Sequence, residues 1–142
     1  MTFSIIKKSI VIFAICSISF SQTGNDFLDE YPFGKKISEM TDPEYWKSIR
    51  YTSLIEGIVS GNDFTLAMAS SIENNLDLDP LSQRICGMTL GQQVRILKKF
   101  CDNNPADTHR PFEVIVFFAF GELPSKSKSE CNKIINRALR NP

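Results

Sequence analysis

The stretch from Cys86 to Leu123 constrains this chain most, because it ends in a run with no polar side. Phe112, Val114, Ile115, Val116, Phe117, Phe118, Ala119 and Phe120 leave no face of the segment for water. Such a segment is buried all round, as a core helix or a central strand. Periodicity does not separate the two, and the Val and Phe content leans toward strand. Read as a helix, the run opens near Thr108 with Pro111 inside its first turn, where a missing N–H costs little. In a small domain, a helix of that kind is expected to be covered in part by another chain.

The residues before it are easier to read. Thr89 and Gln92 have the spacing of a capping box, in which a hydroxyl and an amide satisfy two orphan donors at a helix start. Leu90, Val94, Leu97, Phe100 and Cys101 follow at helical spacing, with Arg95, Lys98 and Lys99 on the wet side. Asp102-Asn103-Asn104-Pro105 stops the helix, through short polar side chains and then a ring that cannot continue it.

Three further elements flank this pair. Gln22 to Met40 reads as a short helix around Phe27 and Leu28, followed by a loop at Pro32, Gly34 and Lys35-Lys36. Thr41 and Glu44 form a second capping box, with Pro43 in the first turn of a helix. Its apolar face is Tyr45, Trp46, Ile49, Leu54, Ile55, Ile58 and Val59, and Phe64, Leu66, Met68 and Ile72 are core candidates if the helix continues. Gly57 and Gly61 lie on one side of it. Glycine inside a helix costs about 1 kcal/mol relative to alanine, so either a neighbouring helix approaches closely there or Gly61 ends the helix. Glu73 to Arg84 reads as a connection. Ser127 and Glu130 make a third capping box, and Cys131, Ile134, Ile135, Ala138 and Leu139 then form an amphipathic stripe with Lys133, Arg137 and Arg140 off it. A basic amphipathic helix can bind membranes or partners. Here, packing on the domain is the expected arrangement.

The N-terminus has the form of an export leader. Lys7 and Lys8 precede an apolar run from Ser9 to Ile18, and Ser19-Phe20-Ser21 supplies small residues at the two positions a signal peptidase reads. The run is shorter than the ~20 residues a bilayer span needs, and Ile15 before Cys16 does not suit a lipoprotein site. Residues 1–21 are therefore expected to be a cleaved leader and 22–142 a single domain, with no stable membrane anchor. Removing Lys7 and Lys8 leaves 14 of the 16 Lys and Arg against 16 Asp and Glu, a net charge of −2. That balance gives no electrostatic footprint for nucleic acid.

Outside the cytosol, two of Cys86, Cys101 and Cys131 are expected to pair. A helix between Cys86 and Cys101 holds them about 20 Å apart, whereas a disulfide tolerates Cα separations of only ~4–7 Å. If the next helix returns antiparallel, Cys131 comes back to the Cys86 side. The expected bridge is Cys86–Cys131, with Cys101 free and buried.

Catalytic chemistry has little to draw on. His109 is the one histidine, so a nucleophile–histidine pair would have to use it. An oxidised Cys86 and a buried Cys101 make poor nucleophiles. One histidine and no C-x-x-C pair argue against zinc. Asp77 and Asp79 precede Pro80 without the glycine of a calcium loop, and read as an acidic turn. No phosphate-cradling glycine loop occurs. The expectation is no enzyme, no cofactor and no metal.

Three segments resemble one family. Leu54-Ile55-Glu56-Gly57-Ile58-Val59-Ser60-Gly61 is similar to its Tyr-Ile-x-Gly-Val-x-Asp helix segment. Cys86-Gly87-Met88-Thr89-Leu90-Gly91-Gln92 resembles, in compressed form, its Cys-x-Pro-x-Gly-Val-Thr-x-x-Gln opening. Asn104-Pro105 and His109-Arg110-Pro111 resemble its His-Pro-Glu turn and the helix after it. These are the type VI secretion amidase immunity proteins, the Rap/Tai group, and the likeness covers residues 45–124, with 125–142 as an added C-terminal helix. The resemblance implies a small exported all-α domain, commonly a homodimer, that binds and occludes a cell-wall-cleaving effector in the periplasm. It also implies that Gly57, Gly61, Thr89, Gln92 and Pro105 serve helix packing, and that the apolar run is helical. Tyr51 and Ser125 stand near family cysteine positions and Asn104 replaces the turn histidine, so the family's disulfide scheme does not carry over.

The expected molecule is all-α, a compact disulfide-stapled domain of about four to five helices behind a signal peptide. Its expected role is stoichiometric binding of a secreted effector, with the loops at 73–83 and 102–110 meeting the partner through Asp77, Asp79, Asn104, His109 and Arg110. A periplasmic helical chaperone that exposes its Phe-rich helix is the alternative of a different class.

Overall fold

A computed structural model describes residues 22–72 and 79–140, without the side chains of 69–72. The expected leader, the Asp77 position and Ile72 as a core side chain lie outside what it describes. Six α-helices occur in these residues: α1 (Gly24–Glu30), α2 (Asp42–Ile72), α3 (Leu81–Ile85), α4 (Leu90–Asn103), α5 (Phe112–Gly121) and α6 (Lys128–Arg140). Two short 3₁₀ turns lie at Ile37–Glu39 and Pro105–Asp107. Among the described residues no strand forms, and the fold is all-α; extended pairing amounts to an isolated bridge between Thr23 and Pro111.

The apolar run is a helix, and it is central. α5 packs against α1, α2, α3 and α4. Phe112, Ile115, Val116, Ala119 and Phe120 are buried on it. It starts at Phe112, four residues later than Thr108. The N-terminal segment explains the delay. Asn25 donates its N–H to the Thr108 carbonyl (2.8 Å), Gly24 to that of Arg110 (3.2 Å), and Phe112 donates to the Gln22 carbonyl (2.7 Å). Backbone groups used this way cannot serve a helix. The approach at Gly24 is close: a Cβ there would sit 3.0 Å from the Thr108 carbonyl oxygen and 3.3 Å from Ile115 Cγ1.

Phe27 is the hub of the core. Its ring stands 5.3 Å from Tyr51 and 5.0 Å from Phe112, and those two are 5.3 Å apart, which joins α1, α2 and α5 through one aromatic triangle. Such pairs contribute about 0.5–1.5 kcal/mol each beyond the area they bury. Thr23 and Asp26 fix the start of α1 in a reciprocal capping box, Thr23 N–H donating to Asp26 Oδ2 (2.6 Å) and Asp26 N–H to Thr23 Oγ1 (3.2 Å). The Thr23 N–H and hydroxyl, which both donate to Asp26 Oδ2, hold the Asp26 carboxyl below its usual pKa.

α2 has 31 residues, about 46 Å of helix, and outruns the body at both ends. Its covered stripe is Tyr51, Ile55 and Val59. Tyr45, Trp46, Phe64 and Met68, expected in the core, are exposed. The helix continues past Gly61, so Gly61 does not end it. At Gly57 a Cβ would meet nothing within 4 Å, so the glycine there admits no neighbouring helix. Glu44 accepts from the Thr41 N–H (2.9 Å) and hydroxyl (3.1 Å), which is the carboxylate half of the expected capping box.

α3 corrects the reading of residues 81–84 as part of a connection. No local residue caps it. Instead its first donors reach α2: the Leu81 N–H to Asn62 Oδ1 and the Ser82 N–H to Asp63 Oδ1, both 3.4 Å. α4 begins at Thr89 with the box in place, Thr89 N–H to Gln92 Oε1 (2.8 Å) and Gln92 N–H to Thr89 Oγ1 (3.3 Å). Val94, Leu97, Phe100 and Cys101 face the core, while Leu90 is partly exposed.

Cys86 and Cys131 form the disulfide, with Cα atoms 5.7 Å apart, and Cys101 is free and buried. The bridge holds the root of α6 beside the turn before α4. Gly87 makes room for it: its φ is +79°, and a Cβ would lie 2.4 Å from Ile134 Cγ2. The rest of α6 departs from expectation. Ile135, Ala138 and Leu139 are exposed, so the stripe does not pack on the domain beyond its first turns.

Two measurements follow. The bridge closes a loop with a sequence separation of 45, for which the chain-entropy relation gives about 4 kcal/mol. Urea unfolding of the Cys86→Ser/Cys131→Ser variant is expected to show a loss of that order; a loss below about 1 kcal/mol would contradict it. Separately, the Tyr51 hydroxyl donates to Glu30 Oε2 (2.9 Å), and burial together with that carboxylate raises the phenol's pKa above its ordinary 10. A raised pKa contributes stability that is complete below the unfolded value and is lost as pH climbs through the folded one. Stability is expected to fall above pH 10, and less steeply in Tyr51→Phe. Equal slopes in the two proteins would refute the assignment.

Candidate functional site

The candidate site is the side of α5 that the core leaves open. Phe117 and Phe118 remain 50% and 45% exposed in a helix whose other aromatic rings are buried. They border an open depression of about 350 Å³ whose other walls include Phe100, Asn104, Asp107 and Glu122. Adjacent exposed apolar side chains mark interaction surfaces more than isolated ones do, and aromatic residues and arginine are enriched where proteins meet.

The loop that follows α4 forms the rim. Asn104 ends the helix with both its N–H and its side-chain Nδ2 on the Phe100 carbonyl, each at 2.9 Å. Pro105 opens the 3₁₀ turn. Thr108 is buried, and its hydroxyl donates to the Pro105 carbonyl (2.9 Å). Arg110 Nε donates to Asp107 Oδ1 at 2.6 Å, and the guanidinium lies over the Phe118 ring, 5.9 Å from its centroid. The rim is thus held by hydrogen bonds to α4 and to the N-terminal segment, and it presents a cation above an aromatic ring.

Of the sequence-derived contact residues, the structure brings Asn104, His109 and Arg110 to this rim, with His109 exposed. Asn104 spends its amide donor on the helix end, so its role is to shape the loop. Asp79 stands apart. It pairs with Arg84 (3.7 Å), which also donates to the carbonyls of Gly121 and Leu123 and so reaches the far end of α5. The packing residues Thr89 and Gln92 cap α4, and Pro105 shapes the turn. Phe117 and Phe118 were not separable in the sequence from Phe112 and Phe120, because a run without polar residues has no period to mark its wet side.

The buried free cysteine is a poor nucleophile. Burial pushes the Cys101 thiol up to about 11, so it is protonated at neutral pH. Cys86 and Cys131 are tied in the disulfide. Among the described residues, no group of three or more His, Cys, Asp or Glu side chains could hold a metal ion, and no helix is long and apolar enough to cross a membrane.

Compared with known family models, with curated proteins and with solved structures, the chain matches none.

The two sides of α5 differ in what they tolerate. Phe118→Asp is expected to change unfolding free energy by no more than about 1 kcal/mol, because the ring is already half in water. Phe120→Asp puts a charge into the core and is expected to cost more than about 4 kcal/mol or prevent folding. Denaturant titration of both distinguishes them; equal losses would mean that Phe118 belongs to the core.

Proposed function

We propose that this protein is an exported, non-catalytic binding protein that neutralises a secreted cell-wall-degrading effector by covering it one to one in the periplasm. The observation that carries this reading is the half-exposed Phe117–Phe118 pair beside a rigid loop bearing Arg110. An apolar centre with a polar, preorganised rim is the usual anatomy of a protein-binding surface. The disulfide supports an oxidising compartment. The resemblance of residues 45–124 to amidase immunity proteins supplies the class of partner, and also a second copy of the chain as a further one. Inhibition of this kind needs contact and no reacting group, which suits a domain whose one free thiol among the described residues is buried and protonated.

A second reading, a helical chaperone of the same compartment, draws on the breadth of exposed apolar side chains, Trp46 and Phe64 on α2 included. It differs in its outcome, since a chaperone suppresses aggregation of many clients and an immunity protein protects against one effector.

Deleting the gene and challenging the cells with effector-bearing sister cells tests the proposal. Lysis is expected, with rescue by the wild-type gene and not by Phe118→Asp. Unchanged survival against every such effector would remove the immunity reading.

A further inference from the structure

The most unusual surface outside this site is the end of α6. The disulfide holds Cys131, and Ile134 lies on Gly87, so the root of the helix is fixed. From Ile135 onward every residue through Arg140 is exposed. Ile135 is 49% and Leu139 75% exposed, one turn apart on the same side of the helix. The opposite side carries Lys133, Arg137 and Arg140. With Lys128, the helix holds four cations against one carboxylate, Glu130, which sits in its first turn and is occupied by Ser127. None of the ion pairs among the described residues involves these four cations.

The helix dipole accounts for Arg137 and Arg140 in the last turn. It does not account for apolar side chains left in water beside them. A second copy of this helix is a poor cover, because pairing would bring two sets of unpaired cations together. An acidic surface with an apolar interior satisfies both faces at once. A short helix with cations on its polar face and Leu or Ile on the other lies in the headgroup region of a bilayer, and its affinity rises with anionic lipid.

We infer that α6 is a peripheral contact for an anionic lipid surface, with Ile135 and Leu139 entering the headgroup boundary and Lys133, Arg137 and Arg140 neutralising lipid charge. The contact is reversible, since two apolar side chains and a few cations do not make an anchor. The disulfide is part of the device, because it fixes the angle at which the helix leaves the body. This inference is independent of the effector reading and concerns a different face.

The test is co-flotation of the full chain, as recovered from cells, with phosphatidylcholine vesicles with and without phosphatidylglycerol. Every variant carries the same N-terminus, so differences between them report on α6. Binding is expected only with the anionic lipid, and it is expected to vanish at 1 M salt, where the screening length is about 3 Å. Arg137→Gln and Arg140→Gln are each expected to weaken it about fivefold, and Ile135→Glu/Leu139→Glu to abolish it while leaving the melting curve unchanged. No binding to anionic vesicles, or binding indifferent to these substitutions, would overturn the inference. So would a lipid-free dimer lost on Leu139→Glu, which would make a second copy the occupant. Binding to polyglutamate that matches the vesicles and ignores Leu139 would do the same, in favour of an acidic protein surface.

Discussion

The burial of α5 is the constraint from which the rest of this structure follows. A ten-residue helix with almost no polar side chain cannot rest on a surface, so other elements must surround it. α1, α2, α3 and α4 do so, and Phe112 at its first turn meets Phe27 and Tyr51 in the aromatic triangle. The N-terminal segment adds backbone hydrogen bonds from Gly24 and Asn25 and accepts one from Phe112. The side left uncovered, at Phe117 and Phe118, is the candidate site.

Helix ends with local chemistry were legible in the sequence. Thr89 with Gln92, Thr41 with Glu44 and Ser127 with Glu130 are three residues apart and satisfy each other without help from elsewhere. The Cys86–Cys131 bridge was legible because a helix of known rise excludes Cys101 as a partner. Features that rest on distant residues were not legible. α3 takes its first hydrogen bonds from Asn62 and Asp63 of α2, so no signal for it lies in its own residues. α5 starts late because Gly24, Asn25 and Gln22 claim the backbone before it.

The covered part of α2 shows the same limit. Tyr45, Trp46, Phe64 and Met68 have the residue types of a core, yet the helix outruns its neighbours, and among its described side chains only Tyr51, Ile55 and Val59 are buried apolar ones. Spacing describes a face; it does not say how far along that face neighbours extend. The candidate site divides in the same way. The loop from Asp102 to Arg110 was legible from its turn residues, whereas the choice of Phe117 and Phe118 as the open rings depends on where α4 and α2 stop covering α5.

The proposed binding role acts by occupancy, so its stoichiometry tests the account most directly. The measurement is calorimetric titration of the chain into a secreted peptidoglycan amidase from the same cells, with residual amidase activity read at each point. The account predicts saturation at one chain per amidase and loss of activity that tracks the bound fraction. Full inhibition at a small fraction of one equivalent, as a catalyst would give, or saturation without inhibition, would contradict it.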